Sequence, residues 1–504
     1  MMLTTEINTP ISYEDFLNSF KDTLKTVFYS RDKIEKFTQS RGFPALVLRE
    51  IMAHNPLSVA IQKKYGGRGA KVKECIGLLS TASYESLPLS LTFGINIALF
   101  LEPVGKYAQE SVKQGIFTRF LEKQNLGGLM ITEPEYGSDA LGMQTSNEYK
   151  DGKYHIKGIK HWQGLTGLAD FWLMTSRPRK ENGELGRDID FFITDESVPE
   201  QRIVVEELFN NIGLYPIPYG RNHVDIVVPE EYKLVPESTG LKLMMDLLHR
   251  SRIQFPGMGM GFIQRMLDEA LKHTKERKVG GRSLSELDEI KHALGRMQSA
   301  FTVSSAMCHK SSSFSGIENN MAPHGIEANA MKAFVSDLMF ESSNRLTQLL
   351  GAKGYAEESL GARGIVDSRP FQIFEGANEM LYSQLAEMVL KLMMRKKMPN
   401  MYDFLAQYHL TDKVADRFKS LLNFNLECKL PQRKLVLLGR ILSRIICAQF
   451  VVEMSISGFR PDLIRDCLET LKYDVTTFLS AFNFATELKP IEEYSEGSNW
   501  MDFC

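Results

Sequence analysis

The segment Phe371-Gln372-Ile373-Phe374-Glu375-Gly376-Ala377-Asn378-Glu379 sets one carboxylate, Glu375, after aromatic and aliphatic residues and before a glycine. A carboxyl at such a loop end loses water, and desolvation raises its pKa towards the range in which a general base takes a proton near neutral pH. The alternative is a helix N-terminal carboxylate favoured by the helix dipole. A second segment, Met130 to Asp139, leaves an apolar run and turns through Pro134, Gly137, Ser138 and Asp139. Such a turn exposes backbone N–H groups and hydroxyls that suit the edge of a planar ring and a pyrophosphate. An ordinary β-turn is the alternative there. Lys160-His161-Trp162 ends another strand-like run with a large aromatic, which either walls a planar cofactor or fills core.

Three kinds of pattern surround these segments. From about residue 12 to 122 apolar residues recur three and four apart, as in Phe16, Phe20, Leu24 and Val27, which predicts helices. Between about 126 and 232 the pattern shortens to β-branched and aromatic runs at 128–132, 154–158, 171–176, 190–195, 202–208 and 223–229. Asp151-Gly152 and Asn182-Gly183 fall between these runs, so a compact antiparallel β domain is expected. From Leu241 the helical period returns and persists to about 396. Helical, β and helical sections in that order exclude a doubly wound sheet. The expected divisions are a helical domain at 1–125, a β-barrel or sandwich at 126–238, a helical bundle carrying Glu375 at 239–397, and a helical extension at 398–504. The fold class is α+β, mainly α.

Together the segments resemble the acyl-CoA dehydrogenase family over residues 12–395. Five motifs stand in family order and spacing: Thr132-Glu133-Pro134 with Gly137-Ser138-Asp139, Lys160 with Trp162, Ala270 with Glu276-Arg277-Lys278, Gln348 with Gly351 and Gly354-Tyr355, and Phe374 to Glu379. The resemblance implies FAD and an α,β-dehydrogenation of an acyl thioester to the trans-2-enoyl product, in fatty acid metabolism. In that chemistry a base removes the α-proton while the β-hydrogen leaves as hydride to flavin N5, and Glu375 takes the place of the base. The thioester carbonyl is polarised in an oxyanion hole, which in the family is made by the base residue's N–H and a flavin ribityl hydroxyl.

For the cofactor the resemblance implies Met130, Ile131, Thr132, Gly137, Ser138, Trp162, Gly164, Ala377 and Glu379. Arg277, Gln348 and Gly351 are implied to reach the FAD of a neighbouring subunit, hence at least a dimer. Implied substrate contacts are Ser138, Arg252 and Gly376, with a surface helix position the alternative for Arg252. Some family branches supply the base from the position held here by Ser251, which cannot act as a carboxylate. The chain departs from the family at Gly164, where a Thr or Ser is common and a backbone N–H or Thr166 is left to substitute. Val279, Gly280 and Ala377 are further departures. The acyl chain is expected between helices near 84–102, lined by Tyr84, Leu89, Phe93, Ile97 and Phe100. Electrons would pass to an electron-transfer flavoprotein or a similar acceptor. A carrier-protein thioester in place of coenzyme A, an oxidase using O₂, and a non-catalytic scaffold are the alternatives.

Composition narrows the remaining classes. The 504 residues carry a formal net charge of -2, so no whole-molecule field favours nucleic acid. Six scattered cysteines, Cys75, Cys308, Cys428, Cys447, Cys467 and Cys504, show no metal-ligand spacing, and a reducing cytoplasmic setting is expected. The N-terminus lacks the basic start and apolar run of a secretory leader. Leu435–Met454 is apolar but broken by Arg440, Arg444 and Glu453, so a buried helix is expected rather than a membrane span. Gly257, Gly259 and Gly261 are expected to serve tight helix packing. The surplus beyond about 395 has an apolar stripe that must be buried on the core or on a second subunit.

Overall fold

A computed structural model describes residues 11–30, 42–427, 429–484 and 488–504. Cys428 and residues 1–10, on which part of the cysteine and leader readings rest, lie outside them. The first section holds α1 (Tyr13–Lys25), α2 (Ala45–Met52), α3 (Val72–Glu85), α4 (Leu87–Asn96), α5 (Glu102–Tyr107) and α6 (Glu110–Glu122). Ser86 caps α4 by accepting from Leu89 N, and Pro88 sits in its first turn, where the missing N–H costs nothing.

The sheet that follows contains β1 (Gly127–Met130), β2 (Ser146–Lys150), β3 (Lys153–Gly164), β4 (Phe171–Pro178), β5 (Asp190–Asp195), β6 (Val204–Leu208) and β7 (Tyr219–Pro229). Its order is β1-β4-β2-β3-β7-β6, with β5 added on β4. The expected all-antiparallel domain is corrected here: β1 and β2 both run parallel to β4. Strand direction leaves no trace in side-chain alternation, and β1 reaches β4 only after a crossover through β2 and β3. β2 itself was missed, because its sequence SNEYK is polar and its last three residues are exposed. Asp151 and Gly152 join β2 to β3 with φ of 51° and 76°, as a tight hairpin between twisted strands requires.

The second helical section holds α7 (Gly240–Glu276), α8 (Asp288–Phe314), α9 (Gly325–Leu350), α10 (Leu360–Ser368) and α11 (Asn378–Arg395). Asp188, in the loop before β5, accepts from Gly240 N and Leu241 N and so fixes the start of α7 against the sheet. Gly257, Gly259 and Gly261 do serve close packing: a Cβ on Gly261 would lie 1.9 Å from Ser80 O.

The extension contains α12 (Met401–Leu405), α13 (Lys419–Leu422), α14 (Gln432–Ile456) and α15 (Pro461–Asn483). α14 packs on α8, α9, α11 and α15, so the apolar stripe is buried on the core of the same chain. Two helical stretches, Leu87–Tyr107 and Gln432–Ile456, are long and apolar enough to cross a membrane. Their apolar windows are 100% and 72% buried inside the protein, as core helices are.

Candidate active site

Three elements converge on Glu375. It follows the turn Arg369–Gln372 and precedes α11, and its backbone has φ 53°, with Gly376 at φ 99°. A non-glycine residue in the left-handed region costs energy and persists only where its surroundings hold it. Here Arg252 of α7 donates from Nε to Glu375 O at 2.9 Å, and Lys332 of α9 donates from Nζ to Gly376 O at 2.7 Å. The left-handed corner is therefore pinned by two cations, one on each successive carbonyl. Arg252 also donates to Asn329 Oδ1 at 2.9 Å and is buried, which removes the surface-helix alternative for it.

The Glu375 carboxylate is held unevenly. Ser251 Oγ donates to Oε1 at 2.9 Å, while Oε2 is buried with no hydrogen-bond partner among the described residues. Burial pushes the carboxyl pKa up, and Ser251, Arg252 and Lys332 each pull it back. The outcome is a base of raised proton affinity that cations nearby keep ionisable. Phe255, Phe371 and Phe374 form an aromatic cluster beside it, with centroids 4.9–5.9 Å apart. Ser251, Lys332 and Phe255 were not legible as site residues. Ser251 stands in the sequence only where some family branches place a base, and Lys332 lies 43 residues upstream with nothing in its neighbourhood to mark it.

The β domain supplies the second wall. The β3–β7 register shifts between His161 and Gln163, and at that bulge Trp162 has φ 65° and is 52% exposed. A bulge re-aims one side chain out of the sheet, and here it turns a tryptophan outward against Phe209, 4.5 Å away. Trp162 is therefore not plain core. Thr132 O accepts from His161 N and Gln163 Nε2, tying the Met130–Asp139 loop to the bulge. The Thr132 hydroxyl is partly exposed and makes no hydrogen bond among the described residues, and Gly137 and Ser138 are exposed. Glu133 and Lys160 support this loop instead of lining it. Their side chains meet at 3.0 Å, both buried, and Glu133 also accepts from Gln144 N and Thr145 N. Burial lowers the Lys160 pKa to about 8, against the pull of Glu133.

Other expected residues fall elsewhere. Met130 is fully buried and Ile131 O accepts from Lys160, so any ligand contact from either is through what the sheet leaves open. Gly164 packs against Ile95 and Tyr219; a Cβ there would meet Ile95 Cδ1 at 3.0 Å. Thr166 does not substitute for the missing hydroxyl, since it is buried and bonded to Gln163 O and Asn222. Tyr219, opposite Gly164 in register, is raised in pKa by burial and by the charge of Glu375, and so stands between the two walls. Ala377 caps α11, and Glu379 is exposed and 3.7 Å from Arg440 of the extension. Arg277, Gln348 and Gly351 are exposed at the far ends of α7 and α9 and are not brought to Glu375. Arg277 lies 25 residues along from Arg252, about 37 Å.

The expected acyl-chain lining is corrected. Leu89, Phe93, Ile97 and Phe100 are core, with Phe100 stacked on Phe120 and near Phe171. Tyr84 lines a cavity of about 410 Å³ that also involves Leu87, Phe262, Arg265 and Arg363. Helical period does not say which of several apolar stripes faces a ligand.

Comparison with known proteins bears on the whole of this geometry. The acyl-CoA dehydrogenase middle domain matches residues 128–227 and the acyl-CoA dehydrogenase C-terminal domain matches residues 238–390. The chain belongs to the acyl-CoA dehydrogenase family. An acyl-CoA dehydrogenase of Bacillus subtilis (strain 168) is 26% identical over 342 residues, covering 67% of this chain and 87% of that protein. The fold is shared with an acyl-CoA dehydrogenase complexed with FAD from Bacillus anthracis, at TM-score 0.73 and 17% identity, covering 94% of this chain and 88% of that one. It is shared too with the prolyl acyl carrier protein oxidase AnaB, at TM-score 0.67 and 16% identity, covering 74% of this chain and 98% of that one. The two family domains include both walls of the site, Trp162 and Glu375. The family domains stop at residue 390, before the extension.

Proposed function

We propose that this acyl-CoA dehydrogenase family member is an FAD-dependent dehydrogenase that introduces an α,β double bond into an acyl thioester, with Glu375 as the base. The observation that carries the reading is the buried, unpartnered Oε2 of Glu375, whose second oxygen is held by Ser251. The residues present fit a flavin: an outward tryptophan on a strained bulge, a neighbouring hydroxyl without a partner, and a loop with exposed backbone. Thr132, Ser138 and Trp162 would hold it on this chain, and Arg277, Gln348 and Gly351 would serve the FAD of a second copy. When bound, FAD supplies the acceptor for the hydrogen and electron pair leaving the β-carbon.

The chain's own contribution is proton abstraction. Oε2 has no donor to lose, so accepting the α-proton breaks no hydrogen bond, while Oε1 stays fixed. The Phe255–Phe371–Phe374 cluster packs beside the loop, and Arg252 holds its backbone. The thioester handle is coenzyme A in this reading; the shared fold of AnaB keeps a carrier-protein handle as the second reading. A homo-oligomer, an electron-transfer flavoprotein as acceptor and a reducing cytoplasmic setting belong to the same proposal. The last is supported by the free thiols of Cys75, Cys308, Cys447, Cys467 and Cys504.

The test is anaerobic mixing of the flavin-loaded protein with acyl thioesters. Loss of flavin absorbance with an acyl-CoA supports the reading. Bleaching by a phosphopantetheine-carrier thioester alone selects the second, and no bleaching by either overturns both.

A further inference from the structure

We propose that Arg444 of the C-terminal extension is a positioning residue for the Glu375 loop, acting through a buried hydrogen-bond relay of Tyr382, Asp337, Asn378 and Lys332. The inference rests on the dehydrogenase reading for its catalytic consequence, but the relay itself is geometry. Arg444 Nη1 donates to Tyr382 Oη at 3.0 Å, and Tyr382 Oη donates to Asp337 Oδ2 at 2.7 Å. Asn378 Nδ2 donates to Asp337 Oδ1 at 2.7 Å and also faces Ala333 O and Ser336 Oγ at 3.0 Å. That leaves Asn378 Oδ1 to accept from Lys332 Nζ at 3.0 Å, and the same ammonium donates to Gly376 O at 2.7 Å. Gly376 is the residue after the base.

Every member is buried: Arg444, Tyr382, Asn378 and Lys332 are at most 2% exposed and Asp337 is 6%. An unpaired polar group is costly where no water can reach, and among the described residues every link from Arg444 Nη1 to Gly376 O is made, while Arg444 Nε has no hydrogen-bond partner. Lys332 makes the point sharply. Among the described residues it has no carboxylate within ion-pair distance, so its burial is offset by the charge of Glu375 first and by its two acceptors, Asn378 Oδ1 and Gly376 O. Burial lowers its pKa to about 7, with Glu375, Asp337 and Glu379 raising it and Arg252 lowering it. Tyr382 is raised by burial first and then by Asp337, so it keeps the proton it donates. At the far end Arg444 is fixed by Phe334, its guanidinium 3.9 Å from the ring centre. The helices meet closely enough for this because Gly439 has no side chain: a Cβ there would lie 2.0 Å from Tyr382 O. The residues carrying the relay sit on α14, α11 and α9, so a segment outside the two matched family domains is joined to the base.

Three variants of the full chain and one control test it, each read in two ways. Tyr382→Phe and Arg444→Met should speed amide hydrogen exchange in peptides spanning 373–379 about tenfold, with or without flavin, and leave 127–132 unchanged. They should also lower the rate of flavin bleaching about tenfold at saturating thioester with KM within twofold. The pH midpoint of that rate should move, and Arg444→Lys should recover part of both effects. Glu453→Gln is the control: it breaks the Lys310–Glu453 contact between extension and core, 3.0 Å, away from the relay. If Glu453→Gln matches Tyr382→Phe in both readouts, or Tyr382→Phe exchanges and reacts as the wild type does, the relay is overturned. A wild type that no thioester bleaches overturns the dehydrogenase reading and the catalytic role of the relay. The exchange result would still decide whether Arg444 orders the loop.

Discussion

Glu375 has the geometry of a carboxylate prepared to accept one proton on one oxygen. Replacing it with glutamine keeps the size and removes the base, so Glu375→Gln should slow bleaching by at least about 10²-fold. Flavin content measured by absorbance should stay at the wild-type level. Trp162 acts at the opposite wall. Its left-handed backbone is held by the bulge and by Phe209, which leaves about half of the residue exposed for a ligand to cover. Stacking of that kind contributes about 0.5–1.5 kcal/mol, so Trp162→Ala should weaken flavin retention by up to about tenfold in equilibrium dialysis. Thr132 and Ser138 stand near this wall by chain position, and the distances from either to Glu375 are set by the elements rather than by the residues.

Between elements, the decisive contacts are places where backbones approach without side chains. Gly439 lets α14 reach Tyr382 O on α11, and Gly213, with φ 70°, lets the loop before β7 reach Val366 O of α10. Beside Gly213, Leu214 N donates to Asp367 at 2.6 Å, which docks the β domain against the helix that leads to Glu375. A methyl group at Gly439 has only backbone to displace. Overpacking of that kind typically costs about 1–3 kcal/mol, and Gly439→Ala should lower the midpoint of urea unfolding accordingly. If the relay holds, the same variant slows bleaching; a variant that loses stability while bleaching at the wild-type rate would separate packing from positioning.

For the molecule as a whole, burial of carboxylates sets a pH dependence of stability. Glu102, the first residue of α5, accepts from Gln254 of α7 at 2.7 Å and has no partner at Oε1 among the described residues. Burial raises its pKa from 4.5 to about 7, with Arg250 and Gln254 opposing. A group protonated more readily in the folded state than in the unfolded one favours the fold below its unfolded pKa, and that advantage fades as pH rises through the folded value. The contribution of Glu102 to stability should therefore fall between about pH 4.5 and 7. Glu102→Gln should be stabilising at pH 8 by about 3 kcal/mol relative to its effect at pH 4.5, in thermal melts at the two pH values. An equal effect at both would show that Glu102 is not buried as a charge at neutral pH.

Much of this protein is determined locally and could be read from the chain. Helical period separated the helical from the β sections, Asp151-Gly152 marked a hairpin, and the apolar approach to Glu375 marked a desolvated carboxylate, because those signals depend on neighbours within a few residues. Strand direction, the polar strand β2 and the acyl-chain lining were not legible, since each depends on which element lies alongside. Ser251, Lys332 and Tyr219 became site residues only when α7, α9 and β7 were brought around one loop. The extension shows the division most plainly: its apolar stripe dictated burial somewhere, but only the packing of α14 on α9 and α11 placed Arg444 against Tyr382. Sequence sets what each segment must bury and which groups can react. Tertiary structure alone decides which distant groups share one dry site, because that depends on distances between segments that are far apart in the chain.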